Sequence, residues 1–208
     1  MADLKSVNLV FKNYKGEVIE NVEQYIADWV TENPHGSIMV GCDSQAHTKY
    51  IKYSVSICLH MKDESGLGHG AHVIFSNYID SDRNLKTDIY TKLWAEAELS
   101  VNAAIKARKG LETVKSEIQS HNEAVMHSAF NEGLEPEDCG GLRDDIDMKV
   151  VVHLDFSSDE DRYSNVLYSS GIGFVRGMGF EAYGKPDAWA ASHTSDALCK
   201  NKQAKGVR

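Results

Sequence analysis

The sequence has no apolar run long enough to cross a bilayer, which takes about 20 consecutive apolar residues. Its N-terminus, Met1-Ala2-Asp3-Leu4-Lys5, lacks the charged-then-apolar pattern of a secretory signal. Cysteines are few and scattered. Cys42, Cys58, Cys139 and Cys199 form no CxxC pair, so they read as reduced thiols of a cytoplasmic protein and not as a disulfide frame or zinc site. No repeat, low-complexity tract or interdomain linker interrupts the chain. An excess of positive charge is missing too: the net charge is −9, which argues against coating nucleic acid through bulk electrostatics. It leaves room for clustered carboxylates that hold metal ions, because such a site is acidic when bare and positive when loaded.

What is present suffices for a full core: 208 residues, 42% of them hydrophobic. The chain reads as one domain over 1–208. Residues 1–35 form an N-terminal strand and helix extension, 110–147 a helical and acidic-loop insertion, and 201–208 a basic tail. Charge is uneven. Glu132, Glu135, Glu137, Asp138, Asp144, Asp145 and Asp147 face Arg143 alone, whereas Lys200, Lys202, Lys205 and Arg208 have no acid among them. A solvated loop and a frayed tail account for both runs.

Periodicity gives the order of elements. A short strand is possible at Val7–Phe11, and Val18–Thr31 carries a helical apolar stripe stopped by Asn33-Pro34-His35-Gly36. Ser37–Asp43 is a short apolar run ending in a carboxylate. Over Tyr50–Met61, Ile51, Tyr53, Val55, Ile57, Leu59 and Met61 alternate with polar residues, as in a half-buried strand. Gly66, Gly68 and Gly70 mark a turn before a third strand at His72–Ile79, so an antiparallel meander is expected. A long helix over Asp82–Lys109 and a second from Leu111 to about Asn131 follow. Met148–Phe156 has little alternation and predicts a strand covered on both faces. Tyr163–Met178 reads as a helix, Phe180–Tyr183 as a brief strand, and Pro186-Asp187 as the start of a last helix reaching about Lys200. The sum is an α/β fold: a mixed sheet of three antiparallel strands and then parallel strands, flanked by helices.

Two acids end apolar strands, Asp43 and Asp155, where an ionised side chain is costly to bury without a partner. Met39, Gly41 and Asp43 share a strand face, and His153 shares one with Asp155. If the strands run side by side in parallel, the two carboxylates repel unless a cation lies between them. Taken singly, each reads as a strand-end or turn residue. A helical acid, Glu98 or Glu96, completes the group. With Tyr90, Leu93, Trp94, Ala97, Val101, Ala104 and Ile105 as the packed face, at about 100° per residue Glu98 lies roughly 80° from its centre and Glu96 roughly 120°. Glu98 is then the acid that leans towards Asp43, and Glu96 faces solvent. Asp187 follows Pro186 where strand gives way to helix, a position that also suits a dipole-stabilised helix start.

Other candidates carry less. His153 suits substrate binding or proton transfer, or equally a hydrogen-bonded core histidine. Ser44 and Gln45 follow the first aspartate, yet no GxSxG elbow surrounds the serine. His60, His69 and His72 match no common zinc spacing. Gly171-Ile172-Gly173 and Gly177-Met178-Gly179 follow a helical stretch and not a strand, which disfavours a phosphate-cradling loop.

Four segments carry a resemblance: Ile38-Met39-Val40-Gly41-Cys42-Asp43-Ser44-Gln45, Glu96-Ala97-Glu98-Leu99-Ser100, His153-Leu154-Asp155, and Gly179-Phe180 continuing to Lys185-Pro186-Asp187-Ala188-Trp189-Ala190-Ala191-Ser192. On these, from about residue 36 to 200, the chain resembles the YkuK-type family of predicted ribonuclease-H-like nucleases. Cys42 stands where threonine is expected, and nothing aligns between Glu112 and Met148. The resemblance implies a ribonuclease H fold in which Asp43, Glu98, Asp155 and Asp187 match the acidic positions. Metal-assisted phosphodiester hydrolysis would follow, with Mg²⁺ or Mn²⁺, two ions about 3.5–4 Å apart and Asp43 bridging them. Hard oxygen ligands favour these ions over zinc. The implied partner is nucleic acid, whether DNA, RNA or hybrid, and no membrane. Two other classes stand beside a nuclease. One is a non-catalytic module of the same fold, favoured by the lack of a Lys/Arg stripe with interleaved aromatics. The other is a phosphotransferase of related architecture, disfavoured by chain length and by the absence of glycine-rich phosphate hairpins.

Overall fold

A computed structural model describes residues 7–81, 88–159, 161–162 and 164–200, apart from the side chains at 191 and 192. The pattern at Met1–Lys5, the helix start at Asp82, the helix start at Tyr163 and the basic tail at 201–208 lie outside the described residues.

The centre is β3 (Ser37–Ala46), whose neighbours are β4 (Ile51–Lys62) on one side and β6 (Val150–Ser157) on the other. β3, β4 and β5 (Gly68–Asp80) form the expected antiparallel meander. β6 runs parallel to β3, and β7 (Glu181–Lys185) parallel to β6. At the far edge lie β1 (Phe11–Lys12) and β2 (Val18–Ile19), completing a seven-stranded order β2-β1-β5-β4-β3-β6-β7. The helix expected from Val18 starts later, as α1 (Val22–Glu32), because the Asn21 side chain caps it by accepting from the Gln24 backbone N–H at 3.0 Å. Only Gly66 serves the β4–β5 turn, at φ 80°, whereas Gly68 and Gly70 lie within β5 opposite Lys62 and Met61.

Two expectations about layers need correcting. β4 is not half-buried. Ser54, Ser56 and Cys58 on its polar side have no more than 0% exposure, because the chain's last segment covers them. In that segment the Ser195 hydroxyl donates to the Gly41 carbonyl at 3.1 Å and shares a 2.7 Å hydrogen bond with Ser56. Cys58 Sγ lies 3.5 Å from Thr194 Oγ1. The segment begins with wide turns over Ala190–Ser195 and ends as α4 (Asp196–Lys200), so Pro186-Asp187 does not start the helix. Instead the Asp187 N–H donates to the Gly184 carbonyl and its own carbonyl accepts from Trp189, both at 2.9 Å.

The two helices expected around Gly110 are one, α2 (Ile89–Glu132), 44 residues long. Asp88 caps its start by accepting from the Tyr90 N–H at 2.9 Å, and Gly133 ends it in the left-handed conformation at φ 66°. Glycine at 110 is explained by packing and not by a break. A Cβ there would stand 2.5 Å from the Glu23 carbonyl oxygen and 3.0 Å from Ile26 Cβ, so its absence lets α1 seat against α2. α3 (Asn165–Gly177) packs beside α2, with Trp94 against Phe174 at 5.1 Å between ring centroids. Among the described residues no helix is long and apolar enough to cross a membrane.

This contrast between glycines is testable by thermal melts. Gly110→Ala should cost about 1–3 kcal/mol through overpacking against backbone. Gly173→Ala, in α3 with nothing within 4 Å of the new Cβ, should gain about 0.5–1 kcal/mol. Equal effects at both positions would contradict the packing described.

Candidate active site

β3 and β6 pair in parallel as far as Gly41 opposite His153, and each continues beyond that point. Two residues further on lie Asp43 and Asp155. Alternation puts them on the face of Gly41 and His153, side by side at the carboxyl edge of the sheet. Asp43 is half-buried, and its carboxyl is pushed up to about 6, first by burial and then by the charge of Asp155. A hydrogen bond from the Ser44 backbone pulls the other way. Asp155 stands beside a cation: Lys185 Nζ, at the end of β7, lies 2.6 Å from Asp155 Oδ1. Behind the pair, Cys199 Sγ donates to the Asp43 carbonyl oxygen at 3.1 Å, tying α4 to the strand end.

The helical acid turned towards β3 is Glu96, and the expected phase, with Glu98 leaning inward and Glu96 facing solvent, is corrected by the structure. Glu96 is 2% exposed, while Glu98 is half-exposed. The helix is rotated from the phase that Tyr90, Trp94 and Ile105 suggested, because its packed face is made of small residues. Leu93, Ala95, Ala97, Leu99, Ser100, Val101, Ala103, Ala104 and Ala107 are buried, whereas Tyr90 is exposed. At about 100° per residue, Glu96 lies roughly 40° from the centre of this face and Glu98 lies nearly opposite. Glu96 Oε1 accepts from the Ser44 hydroxyl at 2.6 Å, and Oε2 is buried without a hydrogen-bond partner. Burial raises its carboxyl to about 8; the Ser44 bond and Lys92 oppose this, and Asp43 and Asp155 add to it.

The remaining candidates divide. Ser44 is committed to Glu96, and Gln45 is exposed. His153 is buried and its Nδ1 accepts from the Ala190 backbone N–H at 2.9 Å, so the ring proton is assigned to Nε2. Burial lowers its pKa to about 4, against a smaller upward pull from Asp187. Asp187 is exposed and reaches the site through that field on His153. Neither Lys92 nor Lys185, the latter quoted only within a matching segment, is given a site role by the sequence. Lys92 stands four residues before Glu96, the spacing that puts two side chains on one helix face, and this was the available signal. Lys185 had no comparable signal, since its pairing depends on the β6–β7 register.

The donors are all oxygens, which fits a hard divalent cation. The buried, unpartnered Glu96 Oε2 fits one as well, because such an atom is expensive to leave unmet. Among the described residues, no three His, Cys, Asp or Glu side chains are already gathered as a metal site. Glu96 is held by Ser44 and Asp155 by Lys185. A cation would therefore be held by Asp43 and Asp155, with Glu96 as the third ligand, once these local bonds give way.

A protein-family model described as Ribonuclease H-like matches residues 17–200. No curated protein and no solved structure matches the chain.

Raised carboxyl pKa values make stability fall with pH. Glu96 moves from an ordinary 4.5 to about 8 and Asp43 from 3.8 to about 6, so each favours its protonated form in the folded state. Their stabilisation is complete below the unfolded values and is lost as pH rises through about 6 and then about 8. Thermal melts in chelator should therefore show declining stability from pH 5 to pH 9, and Glu96→Gln should flatten that decline by a few kcal/mol. A variant whose pH profile parallels wild type would refute the buried acid.

Proposed function

The chain belongs to the ribonuclease H-like family, and on that premise we propose that it is, as a single domain, a divalent-metal-dependent nuclease. The family suggests nuclease-like chemistry or nucleic-acid binding. The observation that favours hydrolysis is the pair Asp43 and Asp155 at one strand edge, close to a buried Glu96 whose Oε2 is unpartnered. Asp43 is the central ligand in this reading, Asp155 and Glu96 complete the set, and Asp187 acts from the periphery. Mg²⁺ or Mn²⁺ at this position would supply Lewis-acid stabilisation of phosphoryl charge and a more acidic water.

The chain's own residues prepare the place. Ser44 fixes the rotamer of Glu96 by donating to Oε1, which aims the other oxygen away from that bond. Cys199 and Ser195 hold the backbone of β3 at Asp43 and Gly41, so the strand end is fixed from the covered side. His153 is neutral at pH 7 and accepts at Nδ1, which suits it to hold the turn before Ala190 and not to donate a proton from that nitrogen. Lys92 and Lys185 lower the local negative charge.

The second reading, a binding module without turnover, is favoured by one observation: Asp155 already has a cationic partner in Lys185. Labelled DNA, RNA and hybrid substrates incubated with Mg²⁺ or Mn²⁺ separate the two. Wild type should cut at least one of them. Asp43→Asn should retain its circular dichroism spectrum and fall below about one hundredth of that rate, as the loss of several kcal/mol of metal-derived stabilisation implies. Cleavage that is equal with and without Asp43 would sink the nuclease proposal. No cleavage with any substrate, together with retained nucleic-acid binding, would establish the module.

A further inference from the structure

Lys185 occupies an unusual position for a structural lysine. Its ammonium lies 2.6 Å from Asp155 Oδ1, at the acid edge itself, and its side chain keeps 42% exposure while that of Asp155 keeps 20%. The lysine is the last residue of β7 and stands opposite Ser157 of β6, beyond a register irregularity that follows His153. It lines a cleft of about 710 Å³ together with Lys92, Ser157, Ser158, Arg162 and Ser164. The cleft gives the four-carbon stem and its ammonium somewhere hydrated to go without unfolding any element.

The charge around it needs a cation at this place. Asp43 and Asp155 emerge side by side from parallel strands, two carboxylates at one sheet edge. Lys185 meets that need from the Asp155 side, while Lys92 acts on Asp43 and Glu96. A divalent ion drawn to the same two carboxylates would compete with the ammonium for Asp155 Oδ1, because a metal ligand and a 2.6 Å ion-pair partner claim the same lone pairs.

We propose that Lys185 is an exchangeable counter-ion, which neutralises Asp155 in the metal-free protein and must be displaced into the adjoining cleft before Asp155 can ligate a divalent cation. This rests on the metal-dependent reading above and adds to it a residue that sets metal affinity. It also accounts for acids that lie at one edge without being gathered as a site: Asp155 is held by its own lysine.

Calorimetric titration of the full chain with Mn²⁺ tests this. Lys185→Gln removes the competitor and should bind Mn²⁺ about tenfold more tightly than wild type, whereas Lys185→Arg, which keeps the charge and adds a fork-shaped donor, should bind no more tightly than wild type. Lys149→Gln breaks the 2.8 Å pair with Glu181 at the other end of β7 and should leave the affinity unchanged. In wild type, lysine side-chain nuclear magnetic resonance should show the Lys185 ammonium signal lose its hydrogen-bonded protection as Mg²⁺ saturates the site, a readout that needs no variant to fold. Wild type that binds Mn²⁺ with Lys185→Gln no tighter overturns the counter-ion role alone, as does an ammonium signal that stays protected at saturation. Wild type that binds neither ion overturns the metal reading and this proposal together.

Discussion

Two like charges at the end of a parallel strand pair are the constraint around which the rest of the structure is arranged. The β3–β6 register fixes it: once Gly41 stands opposite His153, Asp43 and Asp155 leave the sheet together. Like charges at contact cost on the order of a few kcal/mol at the effective dielectric of a protein surface, and more where water is excluded. The fold meets this cost in three ways. Lys185 pairs with Asp155, Asp43 takes up its proton at higher pH than an ordinary aspartate, and Glu96 behaves as a neutral acid until about pH 8. Removing any one of these shifts the load to the others, so the acids behave as a coupled group.

The strand end that carries Asp43 is held from both faces. On one side α2 lays a surface of small residues against β3, close enough for Glu96 to accept from Ser44. On the other, the chain's last segment crosses β3 and β4 and bonds to them through Ser195, Thr194 and Cys199, while Lys52 Nζ donates to the Leu198 carbonyl at 2.8 Å. These bonds are short-range and directional, and they are buried or partly buried, so they fix position at little cost in unsatisfied groups. Gly110 contributes at a distance. By letting α1 seat closely on α2 it sets where the α2 face meets the sheet.

Much of this was legible in the sequence, for identifiable reasons. The meander and the parallel β6 were readable because their apolar runs are regular and bounded by turns, and Asp43 and Asp155 because each terminates such a run. The choice between Glu96 and Glu98 failed on a specific signal. Large residues such as Tyr90, Trp94 and Ile105 were given the core, whereas the real interface is an alanine-rich face on which a short Cβ is what close approach requires. The polar stripe of β4 misled in the same way, since Ser54, Ser56 and Cys58 are buried by a segment more than a hundred residues away in sequence. Lys185 could not have been read at all. Its role exists only through a register between strands separated by a helix.

The acidic character of the chain and the proposed nucleic-acid substrate are reconciled at the scale of the site. A net charge of −9 describes the whole molecule, but phosphates meet only the few groups within about a Debye length, some 8–10 Å. Among the described residues of the cleft beside Asp155, Lys92, Arg162 and Lys185 stand against Asp155 and Asp159, three positive charges to two negative. Serine hydroxyls at 157, 158 and 164 line the same cleft. Such groups can hold backbone oxygens. Engagement of a strand here would depend on a small local charge surplus, one that a divalent ion at Asp155 would enlarge. Binding and metal occupancy are in that case linked through the same carboxylate, each making the other more favourable.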